Sequence, residues 1–342
     1  MTTDHTLAWM RFDDWLKKCV EMRASDLHLI PGYKPTARVN GQLTPIDDLV
    51  LDRSQTRWVV ICLFDNNAEY QLAGSGYMHL SRKLDGSTIA DITAASAGGD
   101  KSIAIRFHGG KIPSLDEAHL PPAVTTLLKA PSGLVVVAGP HGSGKTTTLY
   151  AMLDWINQNR SVHICTVEKP RHYLMQPAKA LVQQREVGLD GQNAGALVAA
   201  AMHQDLDVLM VGEIEDFETL IGCMDAAETG HLVFVQMHAK DPGNAVSRLI
   251  DAAPESMQPA IRRRLSECLR GVSVQRLARR ADGKGRVAIY EILAEGARKF
   301  IDGATPDKGF YLARAEDQIR AHESAGTIKK EEADTMRREF GA

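Results

Sequence analysis

The chain has 342 residues and a formal net charge of −3, with 44% hydrophobic and 24% charged residues. These proportions are ordinary for a globular protein, and the length favours two domains. A charge so close to zero gives no reason to expect direct nucleic-acid binding, which usually goes with a basic domain. The first residues lack the basic stretch and apolar core of a signal peptide. The longest apolar run, near LVVVA at 134–138, is far too short for a membrane span.

The five cysteines are scattered, and no two of them have CxxC spacing. This pattern indicates neither a disulfide framework nor a zinc site. We therefore expect a reducing, cytoplasmic location, with at most a peripheral position at a membrane.

The first third of the chain predicts a small domain that mixes helices and strands. Apolar residues at helical spacing predict a helix over 7–22, and ASDLHLIPGYKPTARVNGQL predicts two strands, with tight turns at PG and at Asn40-Gly41. A second helix is predicted over 53–64 and further strands within 76–108. The glycines and prolines of GGKIPSLDEAHLPP predict a linker over 109–122, so the first domain spans 1–108.

The remainder, 123–342, alternates apolar strands with helical patterns. Strands are predicted over 134–139, 163–168, 208–213 and 231–238, and helices over 145–158, 193–203 and 217–228. Such alternation indicates an α/β fold, in which a mostly parallel sheet carries helices on its faces.

The segment GPHGSGKT at 139–146 fits the phosphate-loop pattern G-x-x-x-x-G-K-[ST], between a predicted strand and a predicted helix. Glycines let backbone N–H groups face phosphate oxygens, and the start of the helix adds partial positive charge. The lysine reaches the outer phosphates, and the following hydroxyl binds Mg²⁺. We therefore predict that ATP and Mg²⁺ are bound by Gly139, Pro140, His141, Gly142, Ser143, Gly144, Lys145, Thr146 and Thr147.

A second acidic strand, in DVLMVGE, ends in Glu213. Open α/β sheets bind ligands at the carboxyl ends of their strands. A carboxylate at this point can hold a metal-bound water or act as a general base. Glu213 is therefore predicted as a catalytic residue and, together with Thr146, as part of the Mg²⁺ site.

Together these segments resemble the secretion and pilus ATPases, most closely the PilT-like retraction ATPases of type IV pili. TVEKP at 166–170 is similar to their Asp box, GEIED to their Walker B segment, and AAETGHLVFVQMH at 226–238 to their His box. ASDLH at 24–28 is similar to the start of their N-terminal domain. The resemblance covers roughly residues 10 to 300.

The resemblance implies a RecA-like P-loop NTPase domain preceded by a smaller PAS-like α+β domain. It further implies a homo-hexamer that binds nucleotide between the two domains and does mechanical work on an inner-membrane pilus or secretion platform. By position in the motifs, Glu168 has a catalytic role, and His231 and His238 sense the nucleotide.

The sequence departs from the family at several charged positions. Lys169 stands where the family has Asp, and His172 stands where it has a second catalytic Glu, although a histidine can still act as a base. Glu215 replaces an arginine, and 85–91 lies where the family has an arginine-bearing strand, which leaves Arg106 as a surviving candidate. An arginine finger contributes about 10³–10⁵ in rate, so the loss of these arginines and of the acid predicts slow hydrolysis.

Two functional hypotheses follow from this comparison. The first is a hexameric ATPase that drives pilus retraction or a related secretion step. The second is a nucleotide-binding accessory subunit with weak hydrolysis, which assembles with or regulates an active paralogous motor.

Overall fold

The computed structural model of the protein describes residues 5–39, 42–64, 68–85, 88–214, 216–283, 285–294, 301 and 308–341. It divides into two compact units, the first comprising 1–111 with 172–176 and the second 112–171 with 177–342. The predicted turn at Asn40-Gly41 and the substitution at Glu215 lie outside the described residues.

In its described residues, the first unit is a six-stranded antiparallel sheet with three helices. The helices are α1 (Leu7–Glu21), α2 (Arg53–Phe64) and α3 (Ala68–Ser75). The strands follow the order β3-β2-β1-β6-β5-β4 across the sheet. Their bounds are β1 Asp26–Leu29, β2 Thr36–Val39, β3 Gln42–Pro45, β4 Tyr77–Lys83, β5 Thr88–Ala97 and β6 Asp100–Gly109.

One face of this sheet carries the core of the first unit. Leu27, Ile105 and Ile92 lie directly opposite one another on three neighbouring strands, and all three are fully buried. Side chains two apart on a strand share a face, so the apolar alternation of β1, β5 and β6 builds a continuous surface. Phe12 and Trp15 of α1 belong to the same core cluster.

The opposite face of the sheet holds a buried polar cluster around Asp91. Its carboxylate lies 2.9 Å from Nε2 of His108 and accepts a 2.6 Å hydrogen bond from the Ser81 hydroxyl. Burial by itself would raise the pKa of Asp91, but the pairing with His108 and Ser81 outweighs burial and lowers it. The ring of His172 packs edge-on against that of His108, with centroids 5.0 Å apart.

The second unit is built on an eight-stranded sheet in the order β14-β13-β12-β7-β11-β10-β8-β9. All neighbours from β12 to β9 run parallel, whereas β13 and β14 are antiparallel additions at one edge. The predicted, mostly parallel sheet is thus confirmed. The strands are β7 Gly133–Ala138, β8 His163–Glu168, β9 Leu181–Glu186, β10 Val208–Val211, β11 Leu232–Met237, β12 Leu269–Arg279, β13 Arg286–Leu293 and β14 Tyr311–Ala313.

Side-chain caps fix the start of several helices in this unit. Asn193, Asp216 and Asp241 each accept a 2.7 Å hydrogen bond from the backbone amide three residues later, which satisfies a donor that the helix leaves unpaired. The helices are α4 Thr125–Leu128, α5 Lys145–Asn159, α6 Ala194–Ala201, α7 Phe217–Glu228, α8 Pro242–Asp251, α9 Gln258–Cys268, α10 Ala315–Ser324 and α11 Lys330–Phe340.

The charged C-terminal segment is helical, as its sequence suggests, but it is not merely a solvated appendage. Ile319 of α10 and Met336 of α11 share a core cluster with Ile289 of β13. The Gln318 side chain both donates to the backbone carbonyl of Tyr290 and accepts from its amide, at 2.8 and 3.1 Å. The helical pair therefore packs against the antiparallel strand β13 of the sheet.

The predicted linker over 109–122 differs from the structure. Strand β6 extends to Gly109, and the residues from Ile112 onward belong to the second unit. Leu120 is buried, and the backbone carbonyl of Ala118 accepts a 2.6 Å hydrogen bond from the Tyr290 hydroxyl. The glycines and prolines of this segment do not reveal that the residues from Ile112 onward belong to the second unit.

We expect Asp91→Asn to lower the free energy of unfolding by about 1–3 kcal/mol at neutral pH, because it removes a buried, charge-assisted pairing. A carboxyl whose pKa is lowered by folding stabilises the protein above its unfolded pKa, and this stabilisation is lost as the pH falls through the folded pKa. The difference from wild type should therefore shrink in acid. Urea unfolding at neutral and acidic pH measures it.

Asp48→Asn is the matched control, because the Asp48 side chain is fully exposed and loses only a surface ion pair with Lys34, which should change stability little. Equal stability of the Asp91→Asn and Asp48→Asn variants at neutral pH would contradict the expectation.

Candidate functional site

The glycine loop, residues 139–146, connects the end of β7 to the start of α5. Strand β7 is buried along its whole length and lies between β11 and β12. Because β7, β11, β10 and β8 are parallel, their carboxyl ends meet at one edge of the sheet. The glycine loop lies at this edge, which is where open α/β sheets bind ligands.

Two glycines of the loop are required by its geometry. A Cβ at Gly139, where φ is +152°, would lie 2.5 Å from the backbone oxygen of Gln275. Gly144 caps α5 with a left-handed φ of +86°. Side chains other than hydrogen are disfavoured at both positions, so the motif's glycines reflect close packing as well as chain curvature.

Lys145 places a positive charge inside the loop. Its ammonium group donates to the backbone carbonyls of Gly139 and Pro140, at 3.1 and 2.9 Å, and the side chain is almost fully buried. Burial lowers the pKa of Lys145, and the nearby carboxylate of Glu213 opposes that shift. The backbone of the loop is thus curled around the ammonium group of Lys145.

The start of α5 contributes donors beside this cation. A helix leaves its first N–H groups without intrahelical partners, and α5 begins at Lys145. The hydroxyl of Thr146 donates a 3.0 Å hydrogen bond to the Gln236 side chain of β11. Ser143 is buried, whereas Pro140, His141 and Thr147 lie nearer the surface. The predicted loop residues are therefore contiguous in space.

Glu213 and His238 form a pair at the same edge of the sheet. Glu213 follows β10 and His238 follows β11, and the His238 Nε2 atom lies 3.3 Å from the Glu213 carboxylate. About two fifths of each side chain is exposed, with 41% for Glu213 and 39% for His238. The ring of His141 in the glycine loop lies 6.2 Å from that of His238. An acid and a base are thus open to solvent beside the loop.

His231 lies at the other end of β11 and departs from the expectation that both His-box histidines adjoin the nucleotide. It precedes Leu232, the first residue of the strand, and its Nδ1 atom lies 2.9 Å from the backbone oxygen of Ala226. A strand of six residues spans roughly 20 Å. His231 is therefore far from the glycine loop of its own chain. The prediction that a histidine senses the nucleotide is kept for His238 alone.

Glu168 ends β8 at the expected edge, but its carboxylate is occupied. Its Oε1 atom accepts hydrogen bonds from the hydroxyls of Tyr150 and Thr166, at 2.5 and 2.7 Å, and the residue is buried. Tyr150 lies on α5 and also accepts from the Gln184 side chain of β9. Glu168 therefore connects the helix that follows the glycine loop to the sheet.

Arg106 and His172 both belong to the first unit. Arg106 lies on β6, where its guanidinium donates to Asp26 at 3.1 Å while most of the side chain remains exposed. His172 packs on His108, as described above. Their predicted catalytic roles remain predictions.

Several polar residues at the site carry no motif and were missed by reasoning from the sequence. They occupy buried strands or the buried face of α5: Tyr150, Gln236 and Gln275. For Gln236 the available signal is one polar side chain in an otherwise apolar strand, LVFVQM, whereas strand β12, LRGVSVQRLAR, carries several polar residues and gives no such signal for Gln275. Buried polar groups of this kind are normally hydrogen-bonded and therefore specific.

Comparison with known proteins identifies relatives over most of the chain. Residues 114–335 match the family model of type II/IV secretion system proteins. The chain is 33% identical over 270 residues to the type IV pilus retraction ATPase PilT of Pseudomonas aeruginosa, covering 79% of this chain and 78% of PilT. It is 32% identical over 284 residues to the type IV pilus ATPase PilU of the same organism, covering 83% and 74%.

The similarity extends to a solved structure. The crystal structure of the pilus retraction motor PilT with bound ADP has a TM-score of 0.84 to this chain at 30% identity, covering 95% of this chain and 96% of that one. The described architecture is therefore that of an established group of secretion ATPases.

We expect Tyr150→Phe to lower the free energy of unfolding by about 1–3 kcal/mol, because it removes a hydrogen-bond donor from the buried Glu168 carboxylate. Thermal and urea unfolding measure the change. Tyr33→Phe is the matched control, since the Tyr33 side chain is 67% exposed and its change should stay within about 0.5 kcal/mol. A Tyr150→Phe variant as stable as Tyr33→Phe would show that the hydroxyl is not needed.

Proposed function

Because the chain belongs to the type II/IV secretion system protein family, we propose that it is a hexameric ATPase that couples ATP hydrolysis to type IV pilus retraction or a related secretion step. One observation carries the proposal: the glycine loop is closed around Lys145 at the sheet edge that also holds the Glu213–His238 pair. A loop of this form supports phosphate binding, and an adjacent acid–base pair supports chemistry on the bound phosphate.

The proposal assigns a role to each unit. The second unit is a RecA-like P-loop NTPase domain, supported by its parallel sheet and by the position of the glycine loop after β7. The first unit is a PAS-like domain, supported by its antiparallel sheet with helices on one face. Nucleotide-dependent movement of one domain against the other would then be the source of mechanical work.

The oxygen donors near the loop fit a magnesium ion. Mg²⁺ prefers hard oxygen ligands and binds proteins through few side chains plus the substrate phosphates. The Thr146 hydroxyl lies at the start of α5, and Glu213 is close enough to Lys145 to influence its pKa. These two residues would hold the ion, which would supply charge neutralisation on the phosphates.

The chain's own residues divide the remaining tasks. The N–H groups at the start of α5 and the ammonium group of Lys145 would orient and neutralise the phosphates. Glu213 would accept a proton from the attacking water, since it is open to solvent beside the loop. His238, 3.3 Å from that carboxylate, would orient it and respond to the terminal phosphate.

The family relationship also suggests partners and a location. PilT and PilU are named as type IV pilus ATPases, so we propose that the protein assembles as a homo-hexamer and acts on an inner-membrane pilus or secretion platform, in the cytoplasm. A paralogous ATPase is a further candidate partner. Within the described residues, no helix combines the length and apolarity that a membrane crossing requires.

A second candidate is the accessory subunit with weak hydrolysis. The contacts that Arg185 and His172 make in the structure favour it. Arg185, a further arginine of the second unit, is buried on β9 and donates to the backbone carbonyl of Leu197 and to the Gln183 and Gln204 side chains. It is therefore held away from the role of a mobile finger. His172, in place of the family's second Glu, packs on His108.

Glu213→Gln tests hydrolysis directly. If Glu213 is the general base, kcat for ATP should fall by about 10²–10⁴ while ATP binding persists, because the amide cannot accept the proton. Lys145→Ala, measured beside it, should lose ATP binding as well. Phosphate release and calorimetric titration with Mg-ATP measure the two quantities.

The wild-type protein, measured in the same two assays, separates the candidates. A wild-type protein that binds ATP without turnover supports the accessory subunit. A wild-type protein that fails to bind Mg-ATP would overturn both functions, and unchanged turnover in Glu213→Gln would overturn the assignment of the base.

His172→Glu restores the family's acid in the Asp box. We expect kcat to rise at least about tenfold if the histidine limits hydrolysis, since a positioned general base contributes about 10²–10⁴ in rate. His203→Glu, at an exposed position, introduces the same change in charge elsewhere and should leave kcat unchanged. Equal or slower phosphate release from His172→Glu, with an unchanged melting temperature, would contradict the expectation.

A further inference from the structure

Gln275 lies beside the glycine loop but on a different part of the chain, strand β12. The pairing of Val274 with Ala138 brings this strand level with the last residue of β7. Gln275 is only 1% exposed, and its side-chain Nε2 donates a 2.7 Å hydrogen bond to the backbone carbonyl of Ser143. A fully buried amide thus contacts the middle of the loop from a neighbouring strand.

The orientation of this side chain is fixed by its partner. A backbone carbonyl only accepts hydrogen bonds, so the amide nitrogen of Gln275 must face Ser143. The amide oxygen of Gln275 has no hydrogen-bond partner among the residues that the structure describes. Leaving a buried acceptor unpaired is costly, which argues that the contact with Ser143 is the reason for an amide at this position.

The contact sets the direction of the next amide group. In a trans peptide the carbonyl and the following N–H point in opposite directions. Holding the Ser143 carbonyl toward β12 therefore turns the Gly144 N–H away from β12, as phosphate binding at the start of a helix requires. We infer that Gln275 is a positioning residue that holds the Ser143–Gly144 peptide in the orientation that binds phosphate.

A second contact of the same residue limits the loop at its other end. A Cβ at Gly139 would lie 2.5 Å from the Gln275 backbone oxygen, and a Cβ at Gly144 would lie 3.3 Å from its Nε2 atom. Gln275 therefore approaches both glycines that bound the loop. Arg286 of β13 adds a weaker contact, 3.4 Å from its guanidinium to the Gly142 carbonyl.

The inference rests on the proposed ATP binding and is tested by Gln275→Met, which keeps the size of the side chain but removes the donor. We expect the Kd for Mg-ATP to rise about 3- to 10-fold, the range that the loss of one hydrogen bond produces. Because the loop binds substrate and transition state alike, KM should rise with little change in kcat. Gln275→Glu places a carboxylate oxygen against the Ser143 carbonyl oxygen. Both atoms are hydrogen-bond acceptors, so this variant should weaken binding further.

Ser273→Ala is the matched control. Ser273 lies two residues earlier on β12, is fully buried, and its hydroxyl has no hydrogen-bond partner in the described part of the chain. Its Kd for Mg-ATP should equal that of wild type, and a cooperative melting transition shows that each of the three variants is folded. Equal affinities of wild type, Gln275→Met and Gln275→Glu would overturn the inference alone, whereas failure of wild type to bind ATP would overturn the proposed function and the inference with it.

Discussion

Parallel pairing of β7, β11, β10 and β8 is the constraint on which the site depends. It brings the carboxyl ends of four strands to one edge, although the residues that follow them are far apart in the sequence. Val211, Val235 and Val136 lie opposite one another across three of these strands. These strands are buried on both faces, so a slip of one residue would exchange the side chains that pack on the two sides of the sheet. The hydrophobic core and the position of the site are therefore fixed together.

Polar groups at this edge fall into two classes. Lys145, Glu168 and Gln275 are buried, and each already contacts protein groups that hold it in place. Glu213 and His238 are partly exposed and pair with each other. Preorganised charges and dipoles do not have to reorganise during a reaction, whereas a group that moves protons must reach water. The buried groups are thus suited to a fixed electrostatic or structural role, and the partly exposed pair is suited to proton transfer.

The sequence predicts this arrangement where local patterns decide it. Apolar strands followed by glycine-rich or acidic ends locate β7 and β10, and apolar residues at helical spacing locate α1. It does not predict contacts between distant strands: nothing near Gln275 indicates that it reaches Ser143, and nothing in the linker indicates that Ala118 meets Tyr290. His231 shows the complementary failure. Motif position suggests a role for it, but strand direction alone determines which end of β11 it occupies.

The altered charges bear on hydrolysis more than on binding. Binding needs the glycine loop, its ammonium group and the start of α5, all of which are assembled within one unit. Hydrolysis needs further charge where the transition state is more negative than the substrate. The guanidinium of Arg185 donates to one backbone carbonyl and to two glutamine side-chain oxygens. Moving it would therefore break three hydrogen bonds of a buried cation. The groups proposed to bind nucleotide are therefore distinct from those that rapid hydrolysis would need, and altering the second set leaves the first set in place.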